Sequence, residues 1–526
     1  MSRRRRLAAG AIAATTVLTL TVVASGTSPA ATPGPGAAIN QVMSKPLYAH
    51  SRWGLLTQNL ANKQYLTSLN ASQFFIPGSN AKLFSTSSLW GTLGPDYRFK
   101  TPVFRSGTTT NGTLAGNLVL VASGDLTMGG RTKPNGTVDF TNFDHNDANA
   151  LPGFATLTPE NPLAGLNQLA QQIRASGIRK VSGNVVIDPR LFEVDTEQNE
   201  ETPTWPIIIN DNLIDMVATP KAVGQKASLD FRPKTSAYTV ASNVTTTAAG
   251  SAIKLSSTLT SPGHLLLTGT VPAGHAPVVH TFQVQDPAAF ARTAFIDALR
   301  RAGVAVTATA TGANPSALLP AKGSYKPANQ VAVFVSPKLS EYVKLIMKVS
   351  LNLGANLAVC LLAVHDHETD CLAGLSVEQQ FLSKTAKVDT TQLVLNDGQG
   401  GFPTDLVTPQ AVVDLLRYMQ SRPDFARYEK VLPILGVDGS LSGVVPNSPA
   451  AGHVFAKTGT LASGDILNNR FVLSDKALGG YIHTKDGRIL AFSLIVNNVP
   501  LTDINQVLGV NNDLGEISAD IWEGQH

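Results

Sequence analysis

The sequence predicts a mixed α/β (α+β) chain in which one domain is split in two and resumes after a large β-rich insert. Three observations predict this. Two short apolar strands at residues 53–57 and 64–69, joined by a polar turn at 59–63, run directly into a helix near Ser79. From about Tyr97 the character changes to Thr/Val/Gly-rich strand patterns, with two amphipathic helices, as far as a polar linker at 324–329. A long α/β stretch then completes the chain, and its last clear features are strands at 477–483 and 488–497 joined at Asp486-Gly487. No internal repeat is evident.

Taken in order, the chain opens on four arginines (Arg3 to Arg6) followed by an uncharged apolar run at 7–24. This reads as a secretory signal over residues 1–26, with an uncleaved membrane anchor as the alternative. No cysteine lies near it, which excludes a lipoprotein anchor. Removing residues 1–26 lowers Lys+Arg from 41 to 37, equal to Asp+Glu at 37. The mature chain is thus nearly neutral, and nucleic-acid binding loses its support. Residues 27–38 read as a flexible export linker. Residues 39–97 form the first part of the split domain, residues 98–328 the insert, and residues 329–526 the second part. Within the insert, residues 98–219 and 286–328 read as one α/β module and residues 220–285 as a smaller β module. Its helices span about 163–177 and 286–302, the latter capped by Asp286-Pro287. A further helix starts at Ser336-Pro337, with Leu339, Val343, Ile346 and Met347 on one face. The two cysteines, Cys360 and Cys371, are expected to close a disulfide rather than remain free in an exported chain. His365 and His367 lie between them, but the spacing fits no usual zinc pattern, so no metal is expected.

The chemistry starts at Ser79-Asn-Ala-Lys82. Positions i and i+3 share one helix face, so Lys82 would stand beside Ser79 at a helix start. A serine hydroxyl needs a neighbouring base, and a lysine serves once burial or a second cation lowers its pKa. The pattern alone is weak: Ser251-Ala-Ile-Lys254 repeats it in a stretch that reads as strand, where i and i+3 point to opposite faces. Two further patterns follow. Ser350-Leu-Asn352 places a hydroxyl able to relay a proton beside an amide able to orient Lys82 and a substrate carbonyl. Lys457-Thr458-Gly459-Thr460 supplies a cation for a substrate carboxylate, a hydroxyl to share it, and a glycine that lets a backbone approach the strand edge. The N–H groups of Ser79 and Thr460 are the expected oxyanion hole. Ser-x-Asn also occurs at Ser68 and Ser182; order and spacing select Ser350. The ordered set is that of β-lactamases and penicillin-binding proteins.

In these motifs the sequence resembles the class C, low-molecular-mass penicillin-binding proteins, which are D-alanyl-D-alanine carboxypeptidases/endopeptidases. The resemblance extends to the long insert between Lys82 and Ser350. It also includes Ser123-Gly-Asp125, residues 181–188, Asp397-Gly-Gln-Gly400 with Val407-Thr-Pro409, and Leu435-Gly-Val-Asp438-Gly-Ser440-Leu441. It implies a penicillin-binding transpeptidase-like domain, discontinuous, with two inserted domains. It further implies an exported serine DD-peptidase acting on peptidoglycan stem peptides without a cofactor and acylated by β-lactams. Asp125 and Asp397 are candidate substrate contacts, against a turn role that Gly-Asp and Asp-Gly pairs more often have. Many relatives read Asp-Gly-Ser-Gly-Leu-Ser-Arg where this chain has Asp397-Gly-Gln-Gly-Gly-Phe-Pro403. The missing Ser and Arg remove the basis for reading the acidic branch of the stem peptide through that loop. An acidic residue common after Ser-x-Asn is replaced by Gly354-Ala355-Asn356. The rival readings are a β-lactamase, disfavoured by the insert and by the lack of an identifiable deacylating glutamate, and a penicillin-sensing wall-binding protein. All three motifs lie outside the insert, so it is expected to fold apart from the chemistry.

Overall fold

The computed structural model describes residues 33–199, 202–503 and 506–525. The predicted signal segment lies outside the described residues. Its neighbour, the expected linker over 27–38, is shorter than expected, because a helix already begins within it at Ala37–Met43. That helix buries Ile39, Val42 and Met43, a stripe too short to stand out beside the flanking Pro and Gly.

The first sheet is antiparallel, in the order Val454–Asp465, Arg470–His483, Ile489–Asn497, Arg52–Asn59, Tyr65–Leu69, with Val499–Leu501 added beside Arg470–His483. Leu55 faces Leu494 across the joint between the two ends of the chain. Alternate residues of these strands point to opposite faces, and both faces are apolar. Leu56, Ala477, Tyr481, Ala491 and Ile495 join one core with helices Lys82–Leu93, Leu339–Val349, Asn352–His365 and Pro409–Gln420. Leu55, Leu478, Ile482, Phe492 and Leu494 join another with Ala37–Met43 and Gln506–Glu523. The result is a helix–sheet–helix sandwich. The C-terminal helix was not foreseen. Gly509, Asn511, Asn512 and Gly515 are poor helix formers, and burial of Val510, Leu514, Ile517 and Ile521 overrides them.

The insert is built on a second six-stranded sheet, ordered Ala305–Val306, Lys180–Val181, Thr113–Val121, Lys100–Thr110, Gln330–Val335, with Val185–Asp188 beside Thr113–Val121. Helices Ala164–Ala175 and Pro287–Arg301 form where expected, the second capped by Asp286 accepting from the Ala289 N–H. Two boundaries differ from expectation. Gln330–Val335 pairs with Lys100–Thr110, so the chain leaves this sheet after Val335 rather than at 328. Leu213–Thr219 pairs with Ser228–Arg232 and Val278–Gln283, so β structure in the smaller module starts before 220. A second three-stranded sheet there is formed by Thr239–Thr247, Lys254–Ser261 and His264–Pro272. Val244, Leu265, Val271 and Val278 pack into the same apolar cluster as Leu118, Ile173 and Phe295, so the two modules share one core. Cys360 and Cys371 form the expected disulfide.

Candidate active site

Ser79 sits on a short 3-10 turn, Gly78–Ala81, and not on the α-helix itself, which begins at Lys82. The tighter turn still serves the motif, because side chains three apart eclipse in a 3-10 helix. Lys82 Nζ lies 2.7 Å from Ser79 Oγ, 2.7 Å from Asn352 Oδ1 and 3.1 Å from the Gln399 carbonyl. The Lys82–Leu93 helix is buried over its first nine residues despite four hydroxyl side chains. Three of them are satisfied locally: Ser85 donates to Gly398 O, Thr86 to Lys82 O, and Ser87 pairs with the Tyr428 hydroxyl.

Ser350 ends the Leu339–Val349 helix in the left-handed region (φ 57°), and Asn352 opens the next helix. A non-glycine residue there costs on the order of 1 kcal/mol. The sharp turn sends the two side chains to different lysines: Ser350 Oγ accepts from Lys457 Nζ at 2.8 Å, while Asn352 meets Lys82. Lys457 Nζ also donates to the Thr458 carbonyl at 2.7 Å, and Asn80 Nδ2 donates to the Lys457 carbonyl at 2.7 Å. That bond ties the nucleophile turn to strand Val454–Asp465. The structure thus brings Ser79, Lys82, Ser350, Asn352 and Lys457 to one point, with Thr458, Gly459 and Thr460 continuing the strand beside it. Thr458 Oγ1 is 2.8 Å from Ser440 Oγ, and Thr460 Oγ1 accepts from Lys476 Nζ at 2.7 Å. Gly459 answers to a different neighbour from the expected substrate backbone. A Cβ there would lie 2.4 Å from the Pro77 carbonyl and 2.6 Å from Asp475 Oδ2, so the glycine admits the chain that leads into Ser79.

The electrostatics follow from burial. Lys82 and Lys457 are both 0 % exposed. Burial pushes Lys82 down to about 7, with Asp397 and Asp147 pulling the other way. Lys457 is driven well below its ordinary value by burial, by Lys82 and by Lys476. Two adjacent buried ammonium groups cannot both keep their protons cheaply.

Asp397 belongs to the site's frame. Its carboxylate accepts from the N–H groups of Gln399, Gly400 and Gly401, holding the loop whose Gln399 carbonyl meets Lys82. Asp125 stays in the insert as a turn residue, accepting from Thr127 N and Oγ1, and burial pushes it up to about 6. Ser251 lies in irregular chain just before strand Lys254–Ser261, away from any helix start. The insert is not separate from the chemistry. Gln198 Oε1 accepts from Gly398 N at 3.0 Å, and Asp147, pushed up to about 6 by burial and Asp144, lies within electrostatic reach of Lys82 and Lys457. Neither residue carries a motif, and only the paths of their loops bring them here.

Residues 36–514 match the description of the D-Ala-D-Ala carboxypeptidase 3 (S13) family. The chain belongs to this family. A D-alanyl-D-alanine carboxypeptidase from an Actinomadura species is 28% identical to this S13 chain, over 93% of it and 86% of the relative. Penicillin binding protein 4 from Haemophilus influenzae shares its fold at TM-score 0.67 and 20% identity, covering 92% of this chain and 98% of that one. The same protein complexed with a β-lactam matches at TM-score 0.65 and 21% identity, covering 91% and 98%.

Proposed function

We propose that this S13 chain is a serine DD-peptidase of peptidoglycan stem peptides, with Ser79 as nucleophile and Lys82 as its base. The observation that carries the reading is the 2.7 Å approach of a fully buried, pKa-depressed Lys82 to Ser79 Oγ. Ser79 Oγ attacks the carbonyl of the penultimate D-alanine while its proton passes to Lys82 Nζ. The oxyanion is held by the N–H groups of Ser79 and Thr460. A Cβ on Gly78 would lie 2.9 Å from Thr460 N, so this strand runs close beside the nucleophile turn. The C–N bond breaks, the leaving amine takes a proton through Ser350, and water then releases the acyl group from Ser79.

Lys457 reads the carboxylate beside the scissile bond. Bringing that anion to Lys457 raises its pKa and fixes its proton, and the resulting cation lowers Lys82 further. Substrate binding thereby completes the base. Asp397 acts on the site through the loop it holds, and Asp125 serves its turn. Both the terminal D-alanine of a carboxypeptidase substrate and the cross-linking residue of an endopeptidase substrate present such a carboxylate. The β-lactam complex of the Haemophilus influenzae protein supports β-lactams as ligands of this chain, which would acylate Ser79. The segment at 1–26 supports export to the cell wall or an equivalent outer space, and among the described residues no helix is long and apolar enough to cross a membrane.

The test is acylation by labelled penicillin with the adduct located by mass spectrometry. The adduct is expected on Ser79, lost in Ser79→Ala and retained in Ser251→Ala; an adduct on any other residue refutes the assignment. Turnover of a defined pentapeptide against a cross-linked muropeptide then divides carboxypeptidase from endopeptidase action.

A further inference from the structure

The insert carries a cavity of about 740 Å³ whose lining includes no Asp, Glu, Lys or Arg. Its walls combine aromatic faces with neutral hydrogen-bonding groups. His280 and Phe282 project from the same face of strand Val278–Gln283, both half-buried, and Trp205 stands half-buried beside them. His280 Nε2 lies 3.1 Å from Ser257 Oγ, and Gln283 adds an amide. Burial keeps the His280 ring below its ordinary pKa, and therefore neutral. A second cavity of about 550 Å³ includes Asp286, whose carboxylate is already committed to capping a helix.

The position of the larger cavity gives it meaning. Asn149 on one wall follows Asp147 by two residues, and Asp147 reaches both active-site lysines. Asn149 is fixed to the cavity strand by a pair of bonds with Thr281 N and O, at 3.0 and 2.9 Å. Thr196 on another wall precedes Gln198 by two residues, and Gln198 accepts from Gly398 beside the Gln399 carbonyl. Two residues of chain span at most about 7 Å. Two walls of the cavity are therefore continuous along the chain with residues that border the candidate site. Four extended residues, the length of a stem peptide from its sugar to the scissile carbonyl, span at most about 14 Å.

We propose that this cavity holds the uncharged amino-sugar strand from which the stem peptide hangs, so that the insert binds the glycan while Ser79 works on its peptide. The ligand chemistry is a neutral N-acetylated hexosamine: a flat apolar sugar face against Trp205 and Phe282, with hydroxyl and acetamido groups toward Ser257 and Gln283. A polyanion finds no cation in the lining. This proposal rests on peptidoglycan being the substrate.

Trp205→Ala is expected to lower kcat/KM on glycan-linked stem peptide at least about tenfold, the loss of one buried aromatic anchor. Its turnover of soluble pentapeptide and its penicillin acylation should stay at wild-type levels. Ser256→Lys, a charge placed at an exposed strand position of the lining, should act in the same direction where Trp205→Ala destabilises the protein. Equal loss on both substrates, or loss on neither, overturns the proposal. Chitotetraose gives an independent reading. It should shift the tryptophan fluorescence of wild type and not of Trp205→Phe. A shift produced by a polyanionic wall polymer and not by chitotetraose refutes the neutral-sugar assignment. Failure of wild type to take penicillin or cleave pentapeptide would instead strike the DD-peptidase reading, and the chitotetraose shift would still judge the cavity.

Discussion

Two clusters of buried charge lie in this protein and are treated in opposite ways. In the active site, Lys82 and Lys457 are sealed from water with hydroxyl, amide and carbonyl oxygens as hydrogen-bond partners. In the insert, Arg131, Asp144, His145, Asp211 and Asp215 form an ion network, closed at its edge by Arg232. There Arg131 forks onto Asp144 at 2.6 and 2.7 Å, and His145 is held at 2.8 Å by a carboxylate on each ring nitrogen. Burial opposes charge in both places, yet Lys82 falls to about 7 while His145 rises to about 10 through Asp215, Asp144 and Asp211. Burial sets the stakes and the partner decides the direction. A buried cation denied a carboxylate partner gives up its proton readily. One saturated with carboxylates becomes a fastening.

The largest effect separates the two roles. Lys82→Met keeps the buried volume, so it should lower acylation by roughly four decades while leaving the melting temperature unchanged or raised. A matching fall in stability would show that Lys82 also holds the fold together. His145→Ala should do the reverse, destabilising by about 3–5 kcal/mol because two buried carboxylates lose their cation. Urea titration checks this, with penicillin acylation measured under conditions where the variant remains folded. The sign with pH is fixed. His145 is raised above its unfolded value, so its contribution is complete below the unfolded pKa of about 6.5 and disappears as pH climbs through about 10. Two-dimensional NMR should accordingly show its ring still doubly protonated at pH 8.

A third, smaller effect tests Lys457. Amidating the substrate carboxylate should cost wild type about 1.5–3 kcal/mol in kcat/KM, one to two decades. Lys457→Ala should be slow on both substrates and nearly indifferent to amidation, a comparison that isolates the contact from the tuning of Lys82. Undiminished discrimination by the mutant would assign the carboxylate to another residue. The smallest effect belongs to Asp147, two residues after His145 and within electrostatic reach of both clusters. The acid limit of acylation should rise through about pH 7 as Lys82 loses its proton. Asp147→Asn removes a carboxylate that raises Lys82, so this limit should move to lower pH, by less than about one unit. Movement to higher pH would contradict the assigned sign.

The clustering of the candidate site was legible because its groups travel in short contiguous motifs whose spacing is already a geometry: Ser79 with Lys82, Ser350 with Asn352, and the strand from Lys457. The frame around them was not. Gln198, Asp147 and Lys476 reach the site through loop paths and strand register, which leave no pattern in the chain. The ion network was hidden for the same reason, since Arg131, His145 and Asp215 meet only once three segments of the insert have folded together. The domain boundary failed at Gln330–Val335, which pairs with the insert's sheet, and the C-terminal helix was missed because Gly509 and Asn511 mask a buried stripe.

The pairing of Leu55 with Leu494 also sets an order of events. The segment bearing Ser79 leaves the ribosome about 410 residues before the strand Ile489–Asn497 that its own sheet strand must pair with. No nascent or truncated chain ending before those strands can complete the site. A chain that must close a loop of this length to become active should gain penicillin-binding capacity late and slowly. A serine DD-peptidase is thereby inert until those strands are made, with its timing set by the order of its strands.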